Sequence, residues 1–74
     1  MKLPVMSGRD VIKALTKVGF REVRQKGSHI ILVKESKEEK RGVVVPNHKE
    51  IDKGTLLEII RQSGLKKEDF LKLI

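Results

Sequence analysis

Cysteine, tryptophan and tyrosine are absent from the 74-residue sequence, and phenylalanine occurs only as Phe20 and Phe70. Without cysteine there is no disulfide and no thiolate-bound metal, so apolar side chains must build the core unaided. An oxidising compartment is therefore not implied. Without Trp and Tyr there is no aromatic platform of the kind on which single-strand-binding sheets stack bases.

Long hydrophobic runs are also missing. No stretch approaches the roughly 20 apolar residues that span a bilayer, and the N-terminal sequence MKLPVMSGRD lacks the apolar segment of a secretory signal. We therefore expect a cytoplasmic protein without a membrane partner. The length predicts one small domain over residues 1–74, which hides only about 60% of the surface of its unfolded chain.

The sequence is strongly basic, because 17 Lys and Arg against 10 Asp and Glu give a formal net charge of +7. Such a surface attracts polyanions, and each phosphate that it neutralises releases counterions and adds binding free energy. The charge, together with the shortage of aromatics, predicts contacts with nucleic-acid phosphates rather than with stacked bases. The alternative is a Lys-rich surface that serves only solubility.

A first helix is predicted over residues 8–18. Ser7 and Asp10 resemble a capping box with Asp in the Glu position. Gly19 supplies a left-handed stop after the helix. The apolar stripe at helical spacing consists of Val11, Ile12, Leu15 and Val18.

Three strands are predicted next. The segment FREVRQK, from Phe20, is joined by a tight turn at Gly27-Ser28 to HIILV, which is apolar on both faces and so suits a central strand. The tract KESKEEKR has nothing to bury and predicts an exposed, mobile loop. GVVVP follows as the third strand, closed by Pro46, which cannot donate to a ladder.

The last third of the chain predicts helices. Asp52 is a candidate N-cap and Gly64 a candidate stop for the second helix, and a short tail is expected to tuck Phe70, Leu71 and Ile74 onto the core. The order of elements predicts an α+β fold, helix-strand-strand-strand-helix, with a three-stranded antiparallel sheet and helices on one face. The other face of the sheet is then open to solvent or to a partner.

The two histidines are candidates for chemistry, because imidazole exchanges a proton near neutrality. His29 follows Lys26, Gly27 and Ser28. His48 lies after the third strand, and a meander places both histidines at the same end of the sheet. A histidine beside apolar residues is more often a partly buried structural residue, so that alternative stays open. Their spacing, without cysteine, forms no metal-ligand set, and we expect no metal and no cofactor.

Four motifs span residues 7–65 and read, in order, SGRDVIKALTKVGF, RQKGSHIILV, VVVPNHKEIDKGTL and IIRQSGL. Together they resemble the HicA toxins, also called YcfA-like proteins, which are small bacterial and archaeal mRNA interferases of toxin-antitoxin pairs. The chain departs from the shortest members in its longer and more charged tract KESKEEKR, which bears on the shape of the RNA-facing rim.

The resemblance implies a fold similar to the double-stranded RNA-binding domain, an mRNA substrate and a HicB-type antitoxin as partner. It also implies that the histidine of the G-S-H motif, His29, is required for RNA cleavage. From the chemistry we assign proton transfer to His29, and phosphate contacts to Lys26 and to the amides of Gly27 and Ser28. His48 is a second proton-transfer group or a substrate contact.

A non-catalytic RNA-binding module of the same fold is the alternative function. Its signature is basic residues at a helix N-terminus rather than a histidine at the start of a strand. Lys49, which we predict to contact RNA, and Lys53 flank the start of the second predicted helix. The sequence therefore partly satisfies both hypotheses.

Overall fold

The computed structural model describes residues 3–74 and has the predicted order of elements. Its three-stranded antiparallel sheet has the order β1-β2-β3, which confirms the α+β layout. None of the helices in residues 3–74 has the length and apolar character needed to cross a bilayer. The elements are α1 (Gly8–Thr16), β1 (Arg21–Lys26), β2 (His29–Glu35), β3 (Lys40–Pro46), α2 (Lys53–Ser63) and α3 (Lys67–Leu71).

The predicted capping box at α1 is confirmed. The Asp10 amide donates to Ser7 Oγ and the Ser7 amide donates to Asp10 Oδ2, each at 3.1 Å. The hydrogen bond from the Ser7 backbone is the main reason that the pKa of Asp10 lies below its ordinary value. The helix ends at Thr16, two residues before the predicted end, and Gly19 adopts a positive φ of 101° in the turn that follows.

The signals at the two ends of α2 are confirmed as well. Asp52 accepts hydrogen bonds from the hydroxyl of Thr55 at 2.7 Å and from its amide at 3.1 Å. These bonds, the one from the hydroxyl foremost, lower the pKa of Asp52. Gly64 ends the helix with a left-handed φ of 79°. Both helices therefore begin at a side-chain cap, and α2 also ends at a left-handed glycine.

Strand β2 is central, as predicted from its two apolar faces. Ile30 and Leu32 are fully buried and pair with Val45 and Val43, which are also fully buried. These four side chains share the face of the sheet that the helices cover. The alternate residues of β2 point to the other face, and Ile31 is only half-buried there.

The prediction of an exposed, mobile loop over the charged tract KESKEEKR is wrong at both ends of the tract. Strands β2 and β3 continue into the tract, so only residues 36–39 connect them. The charges themselves support the ladder, because opposite charges on paired residues attract: Glu35 is directly opposite Lys40 and its Oε1 lies 3.9 Å from Lys40 Nζ. On the other face, the Lys34 ammonium lies 5.9 Å from the centre of the Phe20 ring.

The prediction for the tail is confirmed at Phe70 and wrong at Ile74. Phe70 is fully buried, as expected, whereas Ile74 is 52% exposed and Leu71 is half-buried. Leu73 packs against the core instead. The reason is that α3 ends at Leu71, so the helical spacing that would have brought Ile74 beneath Phe70 does not continue to it.

We expect Phe70→Ala to lower the free energy of unfolding by about 3–5 kcal/mol, because it removes a fully buried ring and leaves a cavity. Ile74→Ala is the matched control and should change stability by less than about 0.5 kcal/mol, since most of its surface is already in water. Urea unfolding of both variants measures the difference. Equal effects from the two substitutions would contradict this packing.

Candidate functional site

The turn before β2 and the segment after β3 meet at one end of the sheet. His29 pairs with Pro46 in the β2–β3 register, and the Asn47 amide donates to the Ser28 carbonyl at 2.6 Å. This bond extends the ladder one residue past each strand. Ser28, just before His29, is thus hydrogen-bonded to Asn47, just before His48.

The N-terminus of α1 is the third segment at this end of the sheet. We call the place where the Gly27-Ser28 turn, the segment of His48 and the start of α1 meet the corner. The Gly8 amide donates to the His48 carbonyl at 2.9 Å. A Cβ on Gly8 would collide with the Pro46 carbonyl oxygen and lie 3.1 Å from the Asn47 Cα. Glycine is therefore required at this position for the helix to approach so closely. Sequence reasoning placed Gly8 in the helix but missed its role in holding the His48 loop, because no local pattern signals a contact over this separation.

The Gly27-Ser28 turn presents His29 to solvent. Gly27 has a φ of 59°, and no non-glycine residue among residues 3–74 has a positive φ, so the turn has the glycine-first pattern of a type II′ hairpin. The Gln25 side chain donates to the Gly27 carbonyl at 3.1 Å and braces the turn. His29, the first residue of β2, is exposed and opposite Lys26. It does not occupy the partly buried position that a structural histidine would have.

Lysines without ion-pair partners lie on the segments that meet at this end of the sheet and at the start of α2. Within residues 3–74, no carboxylate forms an ion pair with Lys26, Lys49 or Lys53. All three are exposed, as is His48. Lys53 is the first residue of α2, which agrees with the basic helix start predicted for RNA binding. Such cations are free to meet phosphate without first losing a carboxylate partner.

The predicted residues form two groups that the backbone joins. Lys26, Gly27, Ser28 and His29 are contiguous through the hairpin turn, and the loop of His48 and Lys49 is hydrogen-bonded to that turn and to α1. Residues 3–74 bring together no group of three or more His, Cys, Asp or Glu side chains that could hold a metal ion. The arrangement offers an exposed imidazole for proton transfer beside several cations for phosphate.

Replacing Gly8 with Ala should destabilise the protein by about 1–3 kcal/mol, the usual cost of overpacking. The Pro46 carbonyl belongs to the backbone and cannot rotate away, so this cost outweighs the gain of about 1 kcal/mol that Ala brings to a helix. Gly42→Ala is the control, because nothing lies within 4 Å of a Cβ at Gly42. Thermal and urea unfolding compare the two. A Gly8→Ala variant as stable as the parent would show that the corner is not held in this way.

Comparison with known proteins supplies the family. No protein in a search of curated sequences matches the chain. A family model described as "HicA toxin of bacterial toxin-antitoxin" matches residues 8–65. The match begins at Gly8 and runs past Gly64, so it includes both histidine segments and helices α1 and α2. The chain therefore belongs to the HicA toxin family of bacterial toxin-antitoxin systems.

Proposed function

We propose that the chain is a toxin that acts as a metal-independent endoribonuclease on mRNA in the cytoplasm, as a single domain over residues 1–74. The observation that carries the proposal is the exposed imidazole of His29 on a glycine turn, beside lysines without carboxylate partners. Membership of a toxin family supports a harmful activity, and an exposed imidazole with lysines nearby suits acid-base cleavage of RNA.

The chemistry needs one nucleophile, one base and one acid. The 2′-hydroxyl of the RNA attacks the adjacent phosphorus, its proton passes to a base, and the bond from phosphorus to the 5′-oxygen breaks as that oxygen takes up a proton. The products are a 2′,3′-cyclic phosphate and a 5′-hydroxyl. Imidazole can perform either proton transfer near neutrality, and we assign one of them to His29.

Stabilisation of the phosphorane falls to the cations at the corner. Lys26 is opposite His29 across the turn, and with the amides of Gly27 and Ser28 it supplies the phosphate contacts nearest to the imidazole. Lys49 extends the contact to the neighbouring loop. His48, in the same loop, serves as the second proton-transfer group or as a substrate contact. The kcat and KM of a His48→Ala variant decide between the two roles.

The partner is the antitoxin of the toxin-antitoxin pair, and we propose that it is of the HicB type. A surface that complements Lys26 and Lys49 must be acidic, which speeds encounter and selects the partner. An interface of standard size, about 1,600 Å² in total, takes up a large share of so small a molecule. Such an antitoxin can block His29 sterically, with no conformational change in the toxin.

A non-catalytic RNA-binding module is the second candidate. The observation in its favour is the exposed pair Lys49 and Lys53 at the start of α2. An inactive module would bind RNA through these lysines and would have no need of an exposed histidine on the hairpin turn. Cleavage by the purified parent separates the two functions.

His29→Ala should reduce the rate of RNA cleavage by about 10²–10⁴-fold, the usual contribution of a proton-transfer group. Binding to RNA should change little, because one imidazole adds little to an interface made by lysines and phosphates. The assay compares parent and variant purified in parallel, so that a contaminating nuclease appears equally in both. Cleavage by His29→Ala at the parent rate would remove His29 from the mechanism.

His48→Ala is assayed in parallel with His29→Ala as the matched histidine variant. A fall in kcat similar to that of His29→Ala assigns His48 to the second proton transfer, and an effect confined to KM assigns it to substrate contact. If the parent binds RNA well and never cuts it, the binding module is the correct function.

RNA affinity should fall steeply as salt rises, because the aromatic platform that would give salt-insensitive stacking is absent. For a single strand, the logarithm of the binding constant falls with the logarithm of the salt concentration by about 0.7 for each phosphate contact. Titrations of a mixed-sequence RNA at several salt concentrations give this slope. A flat response would exclude binding through phosphates.

A further inference from the structure

The peptide group between Gly27 and Ser28 forms the middle of the hairpin turn, and its orientation decides where the Ser28 amide points. Type I′ and type II′ turns differ by a rotation of this peptide that reverses its direction. Gly27 has a φ of 59° and Ser28 does not have a positive φ, so the turn is of type II′. A flip to type I′ would force Ser28 to a positive φ, which residues other than glycine seldom adopt.

The side chain of Gln25 braces the same peptide group. Its Nε2 donates to the Gly27 carbonyl at 3.1 Å. Because a carbonyl oxygen only accepts hydrogen bonds, Gln25 must present the NH₂ end of its amide to the turn. A flipped peptide would break this hydrogen bond, since its carbonyl would point away from Gln25. Gln25 therefore stabilises the orientation that Ser28 prefers.

Gln25 and His29 lie on opposite sides of the hairpin. Residues directly opposite each other in an antiparallel pair share a face of the sheet. Gln25 is opposite Ile30, which is fully buried beneath the helices, whereas Lys26 is opposite His29. Gln25 itself is exposed, as are all six residues of the edge strand β1. We call the side of the hairpin that carries Lys26 and His29 the histidine face.

The direction of the Ser28 amide follows from these positions. In a planar trans peptide, the N–H points opposite to the C=O of the same group. The Gly27 carbonyl points to the side of Gln25, to which it is hydrogen-bonded. The N–H of Ser28 is therefore directed to the histidine face. Within residues 3–74 this N–H donates to no protein acceptor, so it is free to donate to a phosphate oxygen.

We infer that Gln25 is a positioning residue for RNA cleavage, because it keeps the Ser28 N–H directed at the phosphorane on the histidine face. The inference rests on the proposed ribonuclease function and extends it to a side chain on the opposite side of the turn from His29. A donor that is already oriented needs no reorganisation during the reaction, and such donors stabilise a developing negative charge strongly.

Three substitutions at Gln25 separate its hydrogen bond from its size and polarity. Gln25→Lys keeps a donor for the Gly27 carbonyl, and Gln25→Met has a similar length without a donor. The carboxylate of Gln25→Glu can only accept, so it repels this carbonyl and accepts the N–H of the flipped peptide. Val23→Glu is the charge control, because it places a carboxylate two residues earlier in β1, at a position that is 43% exposed.

The values of kcat and KM for RNA cleavage are compared across the four variants. Gln25→Lys should stay within about twofold of the parent kcat. Gln25→Met should lose about threefold to tenfold, the usual net contribution of one hydrogen bond. Gln25→Glu should lose about 30-fold or more, towards the loss of about 10²–10³-fold that follows removal of one oxyanion donor. Val23→Glu should change kcat by less than about threefold and alter mainly KM.

Urea unfolding of the same variants excludes a general loss of structure, because substitutions at so exposed a side chain should leave the midpoint almost unchanged. Equal kcat values for Gln25→Glu and Val23→Glu would overturn the inference, since charge alone would then explain the loss. A kcat for Gln25→Lys as low as that of Gln25→Met would overturn it as well, because the restored donor would have had no effect.

A second measurement does not depend on cleavage. The isotope-labelled full chain is titrated with inorganic phosphate while NMR follows the amide resonance of Ser28. This resonance should shift in the parent, in Gln25→Lys and in Val23→Glu, and the shift should be largely lost in Gln25→Glu, where the N–H points away from the histidine face. A Ser28 resonance that responds equally in Gln25→Glu and in the parent would contradict the inference.

The two measurements distinguish failure of the inference from failure of the proposed function. A parent that never cuts RNA, with the expected response of Ser28 to phosphate, would reject the proposed activity and leave Gln25 as the residue that positions this amide. A parent that cuts RNA while its Ser28 resonance ignores phosphate would reject the role of Gln25 and leave the assignment of His29 standing.

Discussion

The register of β2 is the constraint on which the rest of the molecule depends. This strand must serve two faces at once: Ile30 and Leu32 complete the core, and His29 and Ile31 lie in the alternate positions. A slip of one residue would exchange the two sets, burying the imidazole and exposing the core. The Gly27-Ser28 turn fixes this register next to the turn, since a two-residue hairpin sets the pairing of Lys26 with His29. The same register holds as far as Arg24 opposite Ile31, and it shifts between Glu22 and Arg24. The same turn therefore determines both the fold and the exposure of His29.

The corner around His29 is built almost entirely from backbone contacts. The bonds from Asn47 to Ser28 and from Gly8 to His48 link three separate segments, and neither bond uses a functional side chain. The side chains of Lys26, His29 and His48 therefore remain free for a substrate. This division suits a molecule with few aromatics and no cysteine, in which a buried pocket would compete with the core for a small supply of apolar side chains.

Local signals in the sequence predicted what local physics determines. The capping box of Ser7 and Asp10, the stop at Gly64 and the central position of β2 were all readable from spacing, because each depends on residues a few positions apart. The failures lie where tertiary context decides. Both ends of the charged tract pair across strands, and Leu73 rather than Ile74 packs against the core. The role of Gly8 depends on contact with a segment about 40 residues away. The histidines and lysines of the site were identified from residue type and motif, and their roles stay predictions.

We propose above all that the exposed imidazole of His29 drives RNA cleavage through the 2′-hydroxyl of the substrate itself. The most direct measurement is the chemistry of the product ends, determined for a defined RNA cut by the purified protein in the presence of a chelator. We expect 2′,3′-cyclic phosphate and 5′-hydroxyl ends, and no cleavage where the 2′-hydroxyl at the scissile position is replaced by hydrogen. Products with 3′-hydroxyl and 5′-phosphate ends, or cleavage at the 2′-deoxy position, would contradict it.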